Sequence, residues 1–167
     1  GAAVFYEGQD FMRIQSLRLR SFRNHDDTSI EFGSGINALI GRNGQGKTNI
    51  LEGVSYLSLG KSFFAALDAQ VVQHNAQHFD IRASFVNDAG HTSEAHVVYA
   101  AHEGEKVIRV NGSPLDKVSA IVGEYPAVLL SPDHGGIVAS GPAERRKFLD
   151  IMLCQTSLRY LNDLQEY

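Results

Sequence analysis

Residues 41–48 read Gly-Arg-Asn-Gly-Gln-Gly-Lys-Thr and match the pattern G-x-x-x-x-G-K-[ST], a P-loop. An apolar run, residues 36–40, precedes the loop, and a run with helical character, residues 48–57, follows it. A phosphate-binding loop requires this strand–loop–helix context, because glycines let successive backbone N–H groups turn toward one phosphate chain. The segment therefore predicts a nucleotide site, with a buried central strand over residues 36–40 and a helix that stops near Gly60.

The chemistry of the loop assigns roles to its residues. The positive end of the following helix favours an anion. Lys47 is predicted to reach the β- and γ-phosphates of ATP, and the Thr48 hydroxyl to bind Mg²⁺. The predicted nucleotide-binding residues of the loop are Gly41, Arg42, Asn43, Gly44, Gln45, Gly46, Lys47 and Thr48.

Composition restricts the class of protein. The chain has 167 residues, of which 43% are hydrophobic, enough for one globular domain with a core. With 15 Lys and Arg against 19 Asp and Glu, it has no overall basic charge that would indicate nucleic-acid binding. The single cysteine, Cys154, excludes an internal disulfide, and no apolar run has the length of a membrane span. We therefore expect a cytoplasmic protein without membrane contact, in which Cys154 is a packed residue.

The pattern after the loop changes from helical to alternating. A first strand bearing four arginines within residues 13–23 is predicted to expose a basic face, most simply a solvated one. A second strand is predicted near residues 29–32. Further predicted strands form an antiparallel β lobe, with a hairpin turn at Asn111-Gly112: residues 79–86, 96–100 and 106–110. A short helix within residues 65–73, a strand over 126–130 and helices from Pro142 onward complete the prediction.

Other candidate sites are weak. The candidate for the aspartate that helps bind Mg²⁺ in P-loop enzymes is Asp133. It lies three residues beyond a predicted strand, which is a poor position for a metal ligand. The seven histidines show no set of ligands with metal-binding spacing and are predicted to lie at the surface.

Several segments together resemble the start of proteins of the RecF family, which are SMC-like ATPases of the ABC type. The segments are residues 18–25, 33–37 and 41–52, then 129–133 and 140–150. The last stretch, Ser-Gly-Pro-Ala-Glu-Arg-Arg-Lys-Phe-Leu-Asp, is the most specific, since many families share a P-loop. One departure is that Asp133-His134 stands where family members often have Glu-Asp.

The resemblance implies an α/β fold of the ABC/SMC P-loop type: a mixed sheet with a P-loop helix, an antiparallel β lobe, and C-terminal helices beginning a lever arm. Residues 1–11 would be a native extension or a non-native remnant, 12–140 the N-terminal part of the ATPase head, and 141–167 the start of the arm. Arg23 and Asn24 would lie on the base or ribose side of the nucleotide. Helical spacing places Arg146 on a stripe with Leu149 and Leu153 and so predicts a packed or paired side chain. Arg145, about 100° away, is the better candidate for DNA phosphates, and the alternative is that both are solvated helix charges.

The resemblance further implies a DNA-binding ATPase of replication, recombinational repair and the SOS response. It would load at junctions of single- and double-stranded DNA with RecO and RecR, assist RecA, and dimerise with ATP. Because the signature and Walker B motifs of the family are absent from this chain, we expect little or no ATPase activity from it. The alternatives are an SMC-type head that organises DNA and, less favoured by the alternating segment, a small P-loop kinase.

Overall fold

The structure is a computed structural model that describes residues 12–129 and 141–166. Its centre is an antiparallel sheet of six strands in the order β2-β1-β3-β4-β5-β6. The strands are β1 (Met12–Phe22), β2 (His25–Glu31), β3 (His78–Asn87), β4 (Thr92–Ala100), β5 (Glu105–Val110) and β6 (Ser113–Pro114). The helices are α1 (Lys47–Leu59), α2 (Pro142–Thr156) and α3 (Leu158–Glu166), and two 3₁₀ turns occupy Asp68–Gln70 and Val118–Ile121.

Strand alternation divides the sheet into a buried face and an open one. Alternate apolar side chains of β1, β3 and β4 point inward, and α1 packs against them. Four aromatic rings form the centre of this core through edge-to-face and stacked contacts: Phe22, Tyr56, Phe79 and Tyr99. The open face carries Arg13, Arg18 and Arg20, so the predicted exposed basic face of the first strand is confirmed.

The backbone conformation at the predicted turn and helix end agrees with the sequence prediction. Asn111 and Gly112 both have positive φ, 50° and 81°, and they join β5 to β6 as a tight hairpin turn. Gly60 ends α1 in the left-handed conformation at φ 69°, and its N–H donates to the Tyr56 carbonyl. The predicted antiparallel lobe and the predicted helix stop are therefore both confirmed.

Three predictions about the elements are wrong. Residues 36–40 form no strand, and Ile36 and Ile40 are 102% and 92% exposed. A central strand needs backbone partners along both edges, and the described residues supply none to this segment. The predicted strand over 126–130 is likewise absent over 126–129, and the helix predicted within 65–73 shrinks to the 3₁₀ turn Asp68–Gln70.

Helical structure begins where the sequence predicts, with Pro142 in the first turn of α2. The expected packed stripe on α2 is wrong, because Arg146 is exposed and Leu149 and Leu153 are 56% and 43% exposed. The helix instead buries Cys154 and Gln155, and the Gln155 side chain both donates to and accepts from the backbone of Ala127. Helical spacing defines a stripe but not which stripe meets a neighbour. Cys154 is the packed residue that we predicted.

Candidate functional site: a glycine-rich loop at the start of α1

The loop of residues 41–46 lies at the surface and leads directly into α1, which begins at Lys47. Gly44 and Gly46 have φ of 83° and 87°, values that glycine adopts without the steric cost of a side chain. Gly46 is the N-cap residue of α1 and has no side chain to occupy the first N–H groups, and the first turn contains no acidic residue. The helix therefore presents its positive end to solvent at the loop.

Side chains of the loop hold its two arms together. The Lys47 ammonium donates to the carbonyl oxygens of Gly41 and Arg42, at 2.8 and 2.7 Å. The Gln45 side-chain oxygen accepts from the backbone N–H of Arg42 at 2.9 Å. Thr48 is exposed on the first turn of the helix. The side chains of Gln45 and Lys47 thus tie the end of the loop back to its start, and the Lys47 ammonium lies beside the loop backbone.

The turn between β1 and β2 lies against the same loop. The Asn24 side-chain amide donates to the Gly44 carbonyl at 3.2 Å, and its oxygen accepts from the Asn49 side chain at 2.8 Å. His25 places Nε2 3.1 Å from the Gly46 carbonyl oxygen. A Cβ at Gly46 would lie 2.4 Å from the Asn24 side-chain oxygen and 2.6 Å from His25 Nε2, so only glycine fits there.

Arg23 of the same turn points away from the loop. Its guanidinium makes two hydrogen bonds to the Glu52 carboxylate, at 2.8 and 2.7 Å, and a third to the Gln70 carbonyl at 2.9 Å. Glu52 is 1% exposed and also accepts from the Ser62 hydroxyl. The hydrogen bonds from Arg23 to Glu52 raise the pKa of the guanidinium further above its ordinary value. These contacts indicate a structural role for Arg23, and its predicted contact with a nucleotide stays a prediction.

The residues present fit a nucleoside triphosphate with a magnesium ion. The exposed loop with its glycines, the uncapped helix start and the Lys47 ammonium together favour a phosphate chain. Thr48 supplies a hydroxyl oxygen beside them, a type of ligand that Mg²⁺ accepts.

Other predicted features contribute less. Asp133 and the motif around it lie outside the described residues. Within residues 12–129 and 141–166, no group of histidine, cysteine and carboxylate side chains is arranged to hold a metal, and no helix has the length and apolarity to cross a bilayer. The prediction that the histidines lie at the surface is wrong for His25, which is 7% exposed. Its position directly after Asn24 in the RecF-like segment was the signal that it belongs to the site.

Comparison with known proteins identifies the relatives of this chain. The family model described as AAA domain matches residues 16–115. The curated protein named DNA replication and repair protein RecF from Chloroherpeton thalassium is 40% identical over 156 residues, which is 93% of this chain and 42% of that protein. RecF from Chlamydia muridarum is 40% identical over 157 residues, again 42% of its length. The chain thus spans about two fifths of the length of these relatives.

Solved structures give the same result. The recombination mediator protein RecF-ATPrS of the RecFOR pathway matches with a TM-score of 0.87 and 32% identity over 96% of this chain and 43% of that one. The RecF-ATP structure matches with a TM-score of 0.85 and 31% identity, over 95% and 44% of the two chains. The P-loop ATPase fold of ABC/SMC type is thereby confirmed. The chain therefore belongs to the AAA domain family, and the resemblance to RecF seen in its sequence is confirmed.

Proposed function

We propose that the chain is the nucleotide-binding part of a RecF-like ATPase of DNA replication and recombinational repair, which binds ATP and Mg²⁺ through residues 41–48. The observation that carries the proposal is the exposed glycine-rich loop at the uncapped start of α1, with the Lys47 ammonium beside it. The solved relative named RecF-ATP supports it. Lys47 would offset part of the phosphate charge, and the Thr48 hydroxyl would hold Mg²⁺, which would supply further positive charge there.

We extend the proposal to a wider activity from the resemblance to RecF proteins. DNA at junctions of single and double strands would be the nucleic-acid partner, and its phosphates would provide most of the affinity. RecO, RecR and RecA-type proteins would be the protein partners, an ATP-dependent homodimer the active assembly, and the cytoplasm the compartment. The similarity to repair proteins favours this function over an SMC-type organiser of DNA or a small kinase.

The direct test is titration of a fluorescent ATP analogue with Mg²⁺ into wild type and Lys47→Ala. A charged hydrogen-bond donor contributes ~1.5–3 kcal/mol, so we expect affinity to fall roughly 10- to 100-fold. Lys61→Ala is the matched control, because Lys61 is an exposed lysine just beyond the other end of α1, about 20 Å along the helix axis. Equal affinity of wild type and Lys47→Ala would refute the site.

A phosphate-release assay on the same samples tests the expectation for catalysis. Phosphoryl transfer needs positioning and charge stabilisation from several motifs together, and the signature and Walker B motifs do not occur in these 167 residues. We expect no turnover above that of Lys47→Ala. Turnover that Lys47→Ala abolishes would contradict this and would support Asp133 as a metal ligand.

A further inference from the structure

His25 is buried although its side chain is polar, and both of its ring nitrogens have partners. It is 7% exposed, with Nδ1 3.0 Å from the Thr28 hydroxyl and Nε2 3.1 Å from the Gly46 carbonyl oxygen. A carbonyl oxygen only accepts hydrogen bonds, so Nε2 carries the proton in this contact. The neutral ring then accepts from the Thr28 hydroxyl at Nδ1, and this arrangement satisfies both nitrogens.

The atom that His25 contacts, the Gly46 carbonyl oxygen, lies where the loop joins α1. The Gly46 carbonyl also accepts from the backbone N–H of Ile50 at 3.1 Å, the first hydrogen bond of α1. In a planar trans peptide the N–H points opposite to the carbonyl. With the Gly46 oxygen held toward His25 and the helix, the N–H of Lys47 is directed away from them.

Asn24 acts on the loop in the same sense. Its amide holds the Gly44 carbonyl at 3.2 Å, so the N–H of Gln45 points away from the β1–β2 turn as well. One turn therefore fixes two carbonyls on one side of the loop and, through them, two N–H groups on the other side. Both N–H groups belong to the P-loop stretch whose backbone donors bind phosphate oxygens.

We propose that His25 is a positioning residue of the nucleotide site: by holding the Gly46 carbonyl, it orients the Lys47 N–H toward the phosphates. This proposal rests on the proposed nucleotide-binding function. A hydrogen bond that preorganises a donor increases affinity without touching the ligand, because less ordering remains to be done on binding.

Three substitutions at His25 test the proposal. His25→Phe keeps the ring and removes the donor, His25→Gln keeps an N–H at about the reach of Nε2, and His25→Asn has an amide one methylene too short. Affinity for a fluorescent ATP analogue with Mg²⁺ is measured for each, beside the thermal midpoint without nucleotide. We expect Phe and Asn to weaken binding about three- to tenfold, the range for one lost hydrogen bond, and Gln to stay within about twofold of wild type. His78→Phe, at an exposed histidine on β3, is the matched control.

The outcomes are distinguishable. If wild type and the Lys47→Ala variant bind alike, the proposed function fails and this inference with it. If wild type binds specifically but the Phe, Asn and Gln variants all bind as tightly, His25 has no positioning role. Equal affinities of the Gln and Asn variants would overturn the proposal even if His25→Phe does not fold, because the two amides differ only in reach. A lower thermal midpoint with unchanged affinity would assign His25 to stability alone.

Discussion

The ion pair between Arg23 and Glu52 joins the β1–β2 turn to α1, and its removal should destabilise the fold measurably. In Arg23→Ala the Glu52 carboxylate, 1% exposed, loses two charged hydrogen bonds and, among residues 12–129 and 141–166, keeps the one from Ser62. Breaking one side of a buried pair costs about 3–5 kcal/mol, and partial exposure of the partner reduces that. The Arg23 side chain is 29% exposed, so we expect a loss of ~3 kcal/mol in the free energy of unfolding.

Chemical and thermal unfolding measure this loss. At ~2–4 °C per kcal/mol for a chain of this size, the thermal midpoint should fall by roughly 6–12 °C. The control is Arg13→Ala, since Arg13 is an exposed arginine of the adjoining strand β1 whose side chain has no hydrogen bond or ion pair to the described residues. Adding Glu52→Gln to Arg23→Ala removes the unpaired buried charge and should recover about half of the loss. A change below ~0.5 kcal/mol for Arg23→Ala, or a double variant less stable than the single one, would refute the reasoning.

Two further predictions concern packing. Gly60→Ala places a Cβ 2.7 Å from Val118 Cγ1 and 3.1 Å from the Val118 carbonyl oxygen at a positive φ, and should cost ~2–3 kcal/mol in denaturant unfolding. Gly112→Ala, with positive φ but open space around its Cβ, should cost only ~1 kcal/mol, and equal losses would exclude the clash as the cause. Ile36→Ala and Ile40→Ala should each change stability by less than ~0.5 kcal/mol, against ~2–5 kcal/mol for the buried Ile81→Ala. A loss near 2 kcal/mol at Ile36 would show that this segment is covered in solution.

Features that depend on neighbouring residues in the sequence could be predicted. The loop motif, the alternation of β3 and β4, the Asn111-Gly112 turn and the Gly60 helix stop each need only a few adjacent positions. Their physical causes are local: backbone freedom at glycine, or the period of two that puts alternate side chains on one face.

Features that depend on residues distant in the sequence could not be predicted. The run of residues 36–40 is apolar enough for a buried strand, yet burial requires neighbours that its own composition does not specify. The stripe of Leu149 and Leu153 shows that α2 has an apolar side, but Cys154 and Gln155 face the packed neighbours. The RecF-like segment 18–25 includes His25, but only the fold brings its side chain to Gly46, 21 positions away.

Consecutive side chains of the β1–β2 turn point in different directions, so one residue supports the stability of the fold and the next two contact the loop. Ser21 and Arg23 have φ of 49° and 55°, left-handed values that non-glycine residues adopt at a cost of about 1 kcal/mol each. Backbone hydrogen bonds from Arg23 to Val71 and from Gln73 to Ser21 hold the turn in that shape.

The resulting geometry sends Arg23 toward Glu52 and the two following residues, Asn24 and His25, toward the loop. Substitutions two positions apart should therefore have different effects: Arg23→Ala should lower stability, whereas His25→Phe should mainly lower nucleotide affinity. If stability and affinity instead fell in proportion for both variants, the turn would act on the loop only through the overall fold.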